Sequence, residues 1–343
     1  MKSILIFPAF FLALSASCFG VLAQEAPAPQ DPFTTAVSGL TAQDPMVRRR
    51  SADELGRLGT PASIAPLTQA LADENPFVRS AAVDALGILR AREAVSRIAE
   101  LLAKDPAPQV RQQAAIALAY VGDPTTEDAL IAALKDASDG VRFAATRTLG
   151  SLRSRKALEP LAAALKDPDA GMRRAAAAAL GQIGAKESMA PLQEALDDQD
   201  LHVRREALRA VGAIADAGSA AVFEKALKDS DAVIRLQAAS ALGRLGDFSG
   251  EAAVAALLKD GEASIRMQAA GILGRIGGKD KALPALLAAL SAEKDQGVKG
   301  LLDLAAAQIK ARLGIKDEPA KKPEPGRAPK AAGKKAPAKK RAP

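Results

Sequence analysis

The chain has 343 residues, of which 48% are hydrophobic and 25% are charged, so its composition is that of a folded protein. Aromatic residues supply only 3%, which argues against a compact core built around large rings. A single Cys and a single His exclude a disulfide framework, a Cys/His zinc site and most nucleophile-plus-base pairs. The composition therefore leans away from enzymes, and we expect neither a metal nor a cofactor.

Residues 1–23 have the pattern of a secretory signal peptide. Lys2 precedes an apolar run from Ile4 to Leu14, and small residues follow as far as Ala23. Because the run is too short to span a bilayer, we expect cleavage after Ala23 and export to the periplasm or the extracellular space. Two alternatives stay open: a retained N-terminal anchor, and lipidation of Cys18, which follows a poorly matched lipoprotein box. Residues 24–32 then form a Pro/Ala linker.

The middle of the chain, residues 33–315, repeats itself about every 31 residues. An apolar residue followed by a basic one recurs nine times at spacings of 31 to 33, from Val47-Arg48 to Val298-Lys299. A small residue, usually Gly after Leu, stands eight positions after each basic residue, and an Asp stands six positions before it in seven consecutive units. The seven Asp and the Arg that follow them are Asp73, Asp105, Asp136, Asp167, Asp198, Asp229 and Asp260, with Arg79, Arg111, Arg142, Arg173, Arg204, Arg235 and Arg266.

Each repeat has the pattern of a helical hairpin. In residues 154–184, apolar residues recur at helical spacing in two stretches that a Lys-Asp-Pro-Asp turn separates. The predicted buried stripes are Leu158, Leu161 and Leu165 in the first helix, and Met172, Ala176, Leu180 and Ile183 in the second. A hairpin this small cannot bury its own apolar face, so the hairpins must stack. The sequence therefore predicts an all-α solenoid of about nine hairpins.

The repeat motif, D-x4-V-R-x2-A-A-x-A-L-G-x-L, resembles that of the HEAT-repeat superfamily, and most of all its bilin-lyase-type (PBS lyase) HEAT-like repeats. The resemblance implies a right-handed superhelix in which the repeated Asp and Arg form a structural ladder. The family also includes a bilin lyase subunit and a hydroxylase whose iron is bound by paired His-Glu motifs. Here the only histidine, His202, is not followed directly by Glu, so the iron ligands of that motif are missing. We expect His202 to be a solvent-facing residue at a turn.

The positions that vary between repeats mark a candidate binding surface. One, five and nine residues after the motif Arg, three side chains share one face of the second helix, which we expect to line the concave side. Along the array, this face offers an apolar patch followed by a row of arginines that has no acidic residue in the same three columns. The predicted binding residues are Ile116, Tyr120, Phe143, Arg147, Arg174, Arg205, Arg209, Arg244 and Arg275.

Residues 316–343 form a Lys/Ala/Pro tail with ten Lys/Arg against three Asp/Glu, which accounts for the net charge of +7. The tail either binds an envelope polyanion or keeps the protein soluble. We expect an exported, non-enzymatic scaffold or adaptor that binds a protein partner along the concave face, and an acidic segment of that partner suits the arginines. The alternatives are a lyase-like or protein-modifying subunit that depends on a partner chain, and polyanion or nucleic-acid binding through the tail. Sparse aromatic residues disfavour nucleic acid.

Overall fold

The computed structural model describes residues 31–315 of the chain. The predicted signal peptide, Cys18, all but the last two residues of the linker and the basic tail lie outside them. Within residues 31–315 the regular secondary structure is entirely helical. The chain divides after Ala144 into two compact units, which we call unit 1 and unit 2.

Eighteen α-helices form nine consecutive hairpins within the described residues. Unit 1 holds α1 (Pro32–Gly39), α2 (Pro45–Leu58), α3 (Ile64–Ala70), α4 (Pro76–Ile88), α5 (Val95–Lys104), α6 (Pro108–Val121) and α7 (Glu127–Ala133). The boundary falls within α8 (Asp139–Ser151). Unit 2 continues with α9 (Leu158–Ala164), α10 (Ala170–Ile183), α11 (Met189–Glu194), α12 (Leu201–Ile214), α13 (Ala220–Ala226), α14 (Ala232–Arg244), α15 (Glu251–Ala256), α16 (Ala263–Ile276), α17 (Ala282–Ala292) and α18 (Gln296–Leu313).

The second helix of most hairpins begins at a side-chain cap. Asn75 accepts a hydrogen bond from the backbone N–H of Phe77 at 2.9 Å, and Asp200 accepts from His202 and Val203 at 2.8 and 3.0 Å. These caps satisfy backbone donors that the helix itself leaves free. Asp31 caps α1 in the same way, so this helix begins at Pro32, the last residue of the predicted linker.

The predicted stripes of the hairpin at residues 154–184 face the core with two exceptions. Five of the seven side chains are buried, namely Leu161, Leu165, Met172, Ala176 and Leu180. Leu158 and Ile183 are only half-buried. The helical spacing thus identifies the core face, while the outermost member of each stripe stays in contact with solvent.

Glycines allow neighbouring second helices to pack with their backbones close together. In unit 1, a Cβ atom on Gly87 would lie 2.9 Å from the Cβ atom of Ala117 in the next repeat. In unit 2, a Cβ atom on Gly181 would lie 2.7 Å from that of Ala210. Such distances are shorter than carbon atoms tolerate, so these positions require Gly. The close approach aligns the second helices side by side and leaves one face of each open to solvent.

Candidate functional site

Ion pairs between repeats connect successive hairpins of unit 1. At three junctions, the motif Arg donates two hydrogen bonds to the Asp of the following repeat, and its third nitrogen donates to a backbone carbonyl in its own turn. The shorter bond of each pair is 2.7 Å in Arg48–Asp73, Arg79–Asp105 and Arg111–Asp136. Each Asp also accepts from the backbone N–H two residues further on. These bidentate, charge-assisted bonds lock each turn to the next repeat.

In unit 2 the same ladder is interrupted at one step. Arg173 pairs with Asp198 at 2.7 Å and Arg204 with Asp229 at 3.4 Å. Arg235 instead donates to the carbonyls of Asp229 and Ser230, both at 2.7 Å, and it makes no ion pair with any residue between 31 and 315. Within residues 31–315, the side-chain carboxylate of Asp260, the expected partner of Arg235, accepts only from the backbone N–H of Glu262.

Other ladder residues have partners that the motif did not indicate. Arg266 pairs with Glu293 at 2.7 Å, so a Glu takes the place of the Asp at the end of the series. Arg142 donates to the backbone carbonyl of Asp136 and to the side chain of Asp139. Asp167 accepts from the backbone N–H of Asp169.

These bonds lower the pKa of three carboxyl groups in the ladder. Hydrogen bonds from Arg111 and Arg173 lower the pKa of Asp136 and Asp198, respectively. The Arg266 guanidinium and the backbone N–H groups of Asp295 and Lys294 lower the pKa of Glu293 to about 2. Apart from Arg235 and Asp260, the ladder side chains are bound across or within repeats, which leaves them little to offer a ligand.

The open face of the second helices in unit 1 is partly acidic and partly apolar. Ile88 and Tyr120, on adjacent helices α4 and α6, are 59% and 53% exposed. Ile116 and Phe143, which we predicted to lie beside Tyr120, are half-buried and therefore less exposed than Tyr120. Asp84 accepts from the Gln113 amide at 2.6 Å, and burial together with the charge of Asp53 raises the pKa of Asp84.

The open face of unit 2 carries the six predicted arginines, and the structure divides them into two groups. Arg205 is bound to Asp231 of the next repeat through two hydrogen bonds of 2.7 and 2.9 Å, and Arg209 pairs with Glu206. Both arginines are therefore neutralised, by carboxylates that lie outside the three columns on which the prediction was based. The other four are exposed and pair with no carboxylate within residues 31–315. We call Arg147, Arg174, Arg244 and Arg275 the arginine face.

The described residues contain neither a metal-binding cluster nor a bilayer-spanning helix. Across residues 31–315, no group of three or more His, Cys, Asp or Glu side chains is arranged to hold a metal ion. His202 is exposed in the first turn of α12. No helix in this range combines the length and apolar character that crossing a bilayer requires.

Comparisons with known proteins agree with this architecture. A family model described as HEAT repeats matches residues 34–119, 97–179, 158–243 and 220–305. The chain belongs to the HEAT-repeat family. No curated protein sequence matches it.

Solved structures place this HEAT-repeat protein beside chains of the same fold. The X-ray structure of YibA from Escherichia coli is 20% identical, with a TM-score of 0.55 over 79% of this chain and 98% of that chain. The complex of CpcE and CpcF of phycocyanin lyase from Nostoc is 22% identical, with a TM-score of 0.43 over 85% and 100%. An engineered protein is also 22% identical, with a TM-score of 0.44 over 83% and 92%. At 20% identity, the likeness to YibA is one of fold alone.

Some exposed side chains of this HEAT-repeat protein lie outside the columns that the sequence singled out. Phe248, in the turn between α14 and α15, is 54% exposed, and Leu313 at the end of α18 is 46% exposed. Arg312 donates to the backbone carbonyls of Arg275 and Gly277. Phe248 could have been noticed in the sequence, because it is an aromatic residue in a polar turn, Gly-Asp-Phe-Ser-Gly, where the repeat motif has none.

Proposed function

We propose that this HEAT-repeat protein is an exported, non-enzymatic scaffold that binds an acidic segment of a protein partner along the arginine face of unit 2. One observation carries the proposal: four arginines on one exposed face pair with no carboxylate among residues 31–315. By contrast, other arginines of the same unit, such as Arg173 and Arg205, are paired with acidic residues of the next repeat.

Guanidinium groups suit a partner that carries carboxylates. Each binds a carboxylate through two parallel hydrogen bonds, and a row on neighbouring helices can bind several along an extended segment. The second helices α10, α12, α14 and α16 pack side by side, so the spacing of the row is set by the rigid core. The arginine face thus offers repeated charge at fixed spacing, which favours selectivity and rapid association.

Two further parts of the proposal rest on the sequence. The pattern of residues 1–23 supports export, and the shortage of His and Cys supports a non-enzymatic role. Fractionation of cells that express the full chain tests the first part. We expect the protein in the periplasm or the medium, with the mass of a chain that begins at Gln24. A full-length cytoplasmic product would contradict export.

Charge reversal tests the scaffold role. In the test variant, the four residues Arg147, Arg174, Arg244 and Arg275 are changed to Glu. A control variant carries Glu at four exposed lysines that lie off this face, Lys135, Lys228, Lys259 and Lys279. Both variants have the same net charge, so nonspecific electrostatics affects them equally.

The measurement is affinity capture from the envelope fraction of the source organism, with helical content checked by circular dichroism. We expect a protein that the wild type and the lysine variant retain equally, and whose recovery with the arginine variant falls by about tenfold or more. Equal recovery with all three proteins would contradict the proposed role of the arginine face.

The basic tail supports a second candidate function. Ten Lys/Arg in residues 316–343 favour binding to a polyanion of the envelope. Removal of the tail would then abolish retention on that polymer, and binding would weaken steeply with salt. If retention depends on the tail and is unchanged by the arginine variant, the tail is the functional element.

A further inference from the structure

A cleft in unit 2 brings basic and apolar side chains together outside the ladder. It has a volume of about 630 Å³ and is lined by parts of α14, α16 and α18 together with the turn after α14. Arg244, Arg275 and Arg312 line it, as do the exposed side chains of Phe248 and Leu313. Clefts that hold small ligands or side chains measure roughly 300–1,000 Å³, so this one has room for a large side chain and its neighbours.

The positive charge of the cleft is not compensated within the described residues. None of its three guanidinium groups pairs with a carboxylate of residues 31–315. Arg312 is held against the end of α16 by its hydrogen bonds to the carbonyls of Arg275 and Gly277. Arg244 makes one long hydrogen bond of 3.3 Å to the carbonyl of Gly212. Arg312 is thus fixed in place, whereas Arg244 and Arg275 keep most of their donors for a ligand.

Two nearby carboxylates are already occupied. Glu251 accepts from the backbone N–H groups of Gly278 and Ala282, both at 2.8 Å, where it stabilises the start of α17. Asp247 accepts from the backbone N–H of Ser249 at 2.8 Å. Both acids serve the local backbone, so neither provides an ion pair to the arginines of the cleft.

Two large apolar side chains of the cleft, Phe248 and Leu313, are exposed to water, which solvates them poorly. More than half of the surface of Phe248 and nearly half of that of Leu313 is exposed. An exposed aromatic ring beside unpaired arginines is the composition that dominates binding energy at protein interfaces.

We infer that this cleft binds an acidic peptide segment through a large apolar side chain flanked by carboxylates. The apolar side chain packs against Phe248 and Leu313, and the flanking carboxylates pair with Arg244 and Arg275. The inference rests on the proposed function and deepens it, because it specifies the sequence that the partner presents. The cleft supplies an anchor and the rest of the arginine face supplies electrostatic attraction.

Two fluorescein-labelled pentapeptides test the inference on the full-length chain by fluorescence anisotropy. One has the sequence Glu-Asp-Phe-Glu-Asp and the other has Gly in place of Phe. The cleft variant combines Arg244→Glu with Arg275→Glu, and Phe248→Ser tests the ring alone. The matched control combines Arg147→Glu with Arg174→Glu, which makes the same charge change on the same face outside the cleft. All five side chains are at least partly solvent-exposed, so we expect each variant to fold, and circular dichroism verifies this.

At about 50 mM salt, where screening is weak, we expect the Phe peptide to bind at least about tenfold more tightly than the Gly peptide. The cleft variant should weaken binding of the Phe peptide by about tenfold or more, and Phe248→Ser by about fivefold. The control pair should change it by no more than about threefold, since it alters only long-range attraction.

Other outcomes overturn the inference in distinguishable ways. If both peptides bind equally and the control pair weakens binding as much as the cleft variant does, the face attracts acids without an anchor, and only the inference fails. If inorganic phosphate displaces the Phe peptide, the cleft is a site for small anions, and again only the inference fails. If neither peptide binds and the arginine variant also captures the same proteins as the wild type, both the inference and the proposed function fail.

Discussion

The two units share one hairpin pattern but differ on the face that their second helices expose. In unit 1 this face combines Asp53 and Asp84 with the exposed Ile88 and Tyr120. In unit 2 it carries the four unpaired arginines of the arginine face. Buried positions must satisfy the packing of the neighbouring repeat, whereas the open face is free of that constraint. The side chains of this face can therefore differ between repeats without disturbing the fold.

The units also differ in the continuity of their ladders. Unit 1 contains three consecutive bidentate pairs, each with a 2.7 Å bond. In unit 2, Arg235 donates only to backbone carbonyls within the described residues, so one junction between the described repeats lacks its ion pair. The stability of a repeat array is roughly a sum of repeats and their interfaces, so this junction should be weaker than its counterparts.

Alanine substitutions at Arg111 and Arg235 should separate the two kinds of junction. Arg111→Ala leaves the half-buried Asp136 without its guanidinium, and we expect a loss of about 2–3 kcal/mol in the free energy of unfolding. Arg235→Ala removes only hydrogen bonds to carbonyls and should cost about 1 kcal/mol. Urea denaturation followed by circular dichroism measures both. Equal losses would mean that the ion pair adds nothing to the junction.

Glycine substitutions test the close packing that both units share. Gly87→Ala and Gly181→Ala place a methyl group against Ala117 and Ala210, so each should destabilise the protein by about 1–2 kcal/mol. Gly300 has no other atom within 4 Å of the position of a Cβ, so Gly300→Ala should instead stabilise α18 by about 0.5–1 kcal/mol. Thermal unfolding gives the sign of each effect. Stabilisation by all three substitutions would show that the helices can move apart without cost.

The hairpins could be predicted from the sequence because burial imposes a periodic pattern. Leu161, Met172 and Leu180 recur at helical spacing and are buried, as that spacing indicates. The pairing of Arg205 could not be predicted in this way. Its partner, Asp231, lies 26 residues away and also caps the start of α14. The cap alone explains an Asp at this position, so nothing in the repeat pattern indicates the ion pair.

The repeat pattern gives no information about residues outside the repeating columns. Phe248 lies in a turn and Arg312 near the end of α18, so a comparison of equivalent repeat positions cannot reveal that they meet at one cleft. The interruption at Arg235 was equally hidden, because both Arg235 and Asp260 match the motif. Whether two matching side chains meet depends on small shifts between repeats, which only the folded structure contains.

Acid should weaken unit 2 through the pair that ends its ladder. The pKa of Glu293 falls from 4.5 to about 2 on folding, so its ionised form is stabilised in the folded state. This contribution is complete above about pH 4.5 and is lost as the pH falls toward 2. We expect the Tm of the wild type to fall more steeply than that of Glu293→Gln over this interval. Parallel curves of Tm against pH would contradict a stabilising role for the pair.

The smallest expected effect has the opposite sign and lies on the open face of unit 1. Burial and the charge of Asp53 raise the pKa of Asp84, so ionisation of this carboxyl disfavours the folded state at neutral pH. Asp84→Asn removes the charge and keeps an oxygen that can accept from the Gln113 amide. We therefore expect a small rise in Tm at pH 7 that disappears as the pH is lowered and the wild-type carboxyl becomes protonated. A fall in Tm at pH 7 would show that the charge of Asp84 stabilises unit 1, and the acidic face would then be a structural feature and not one left open for binding.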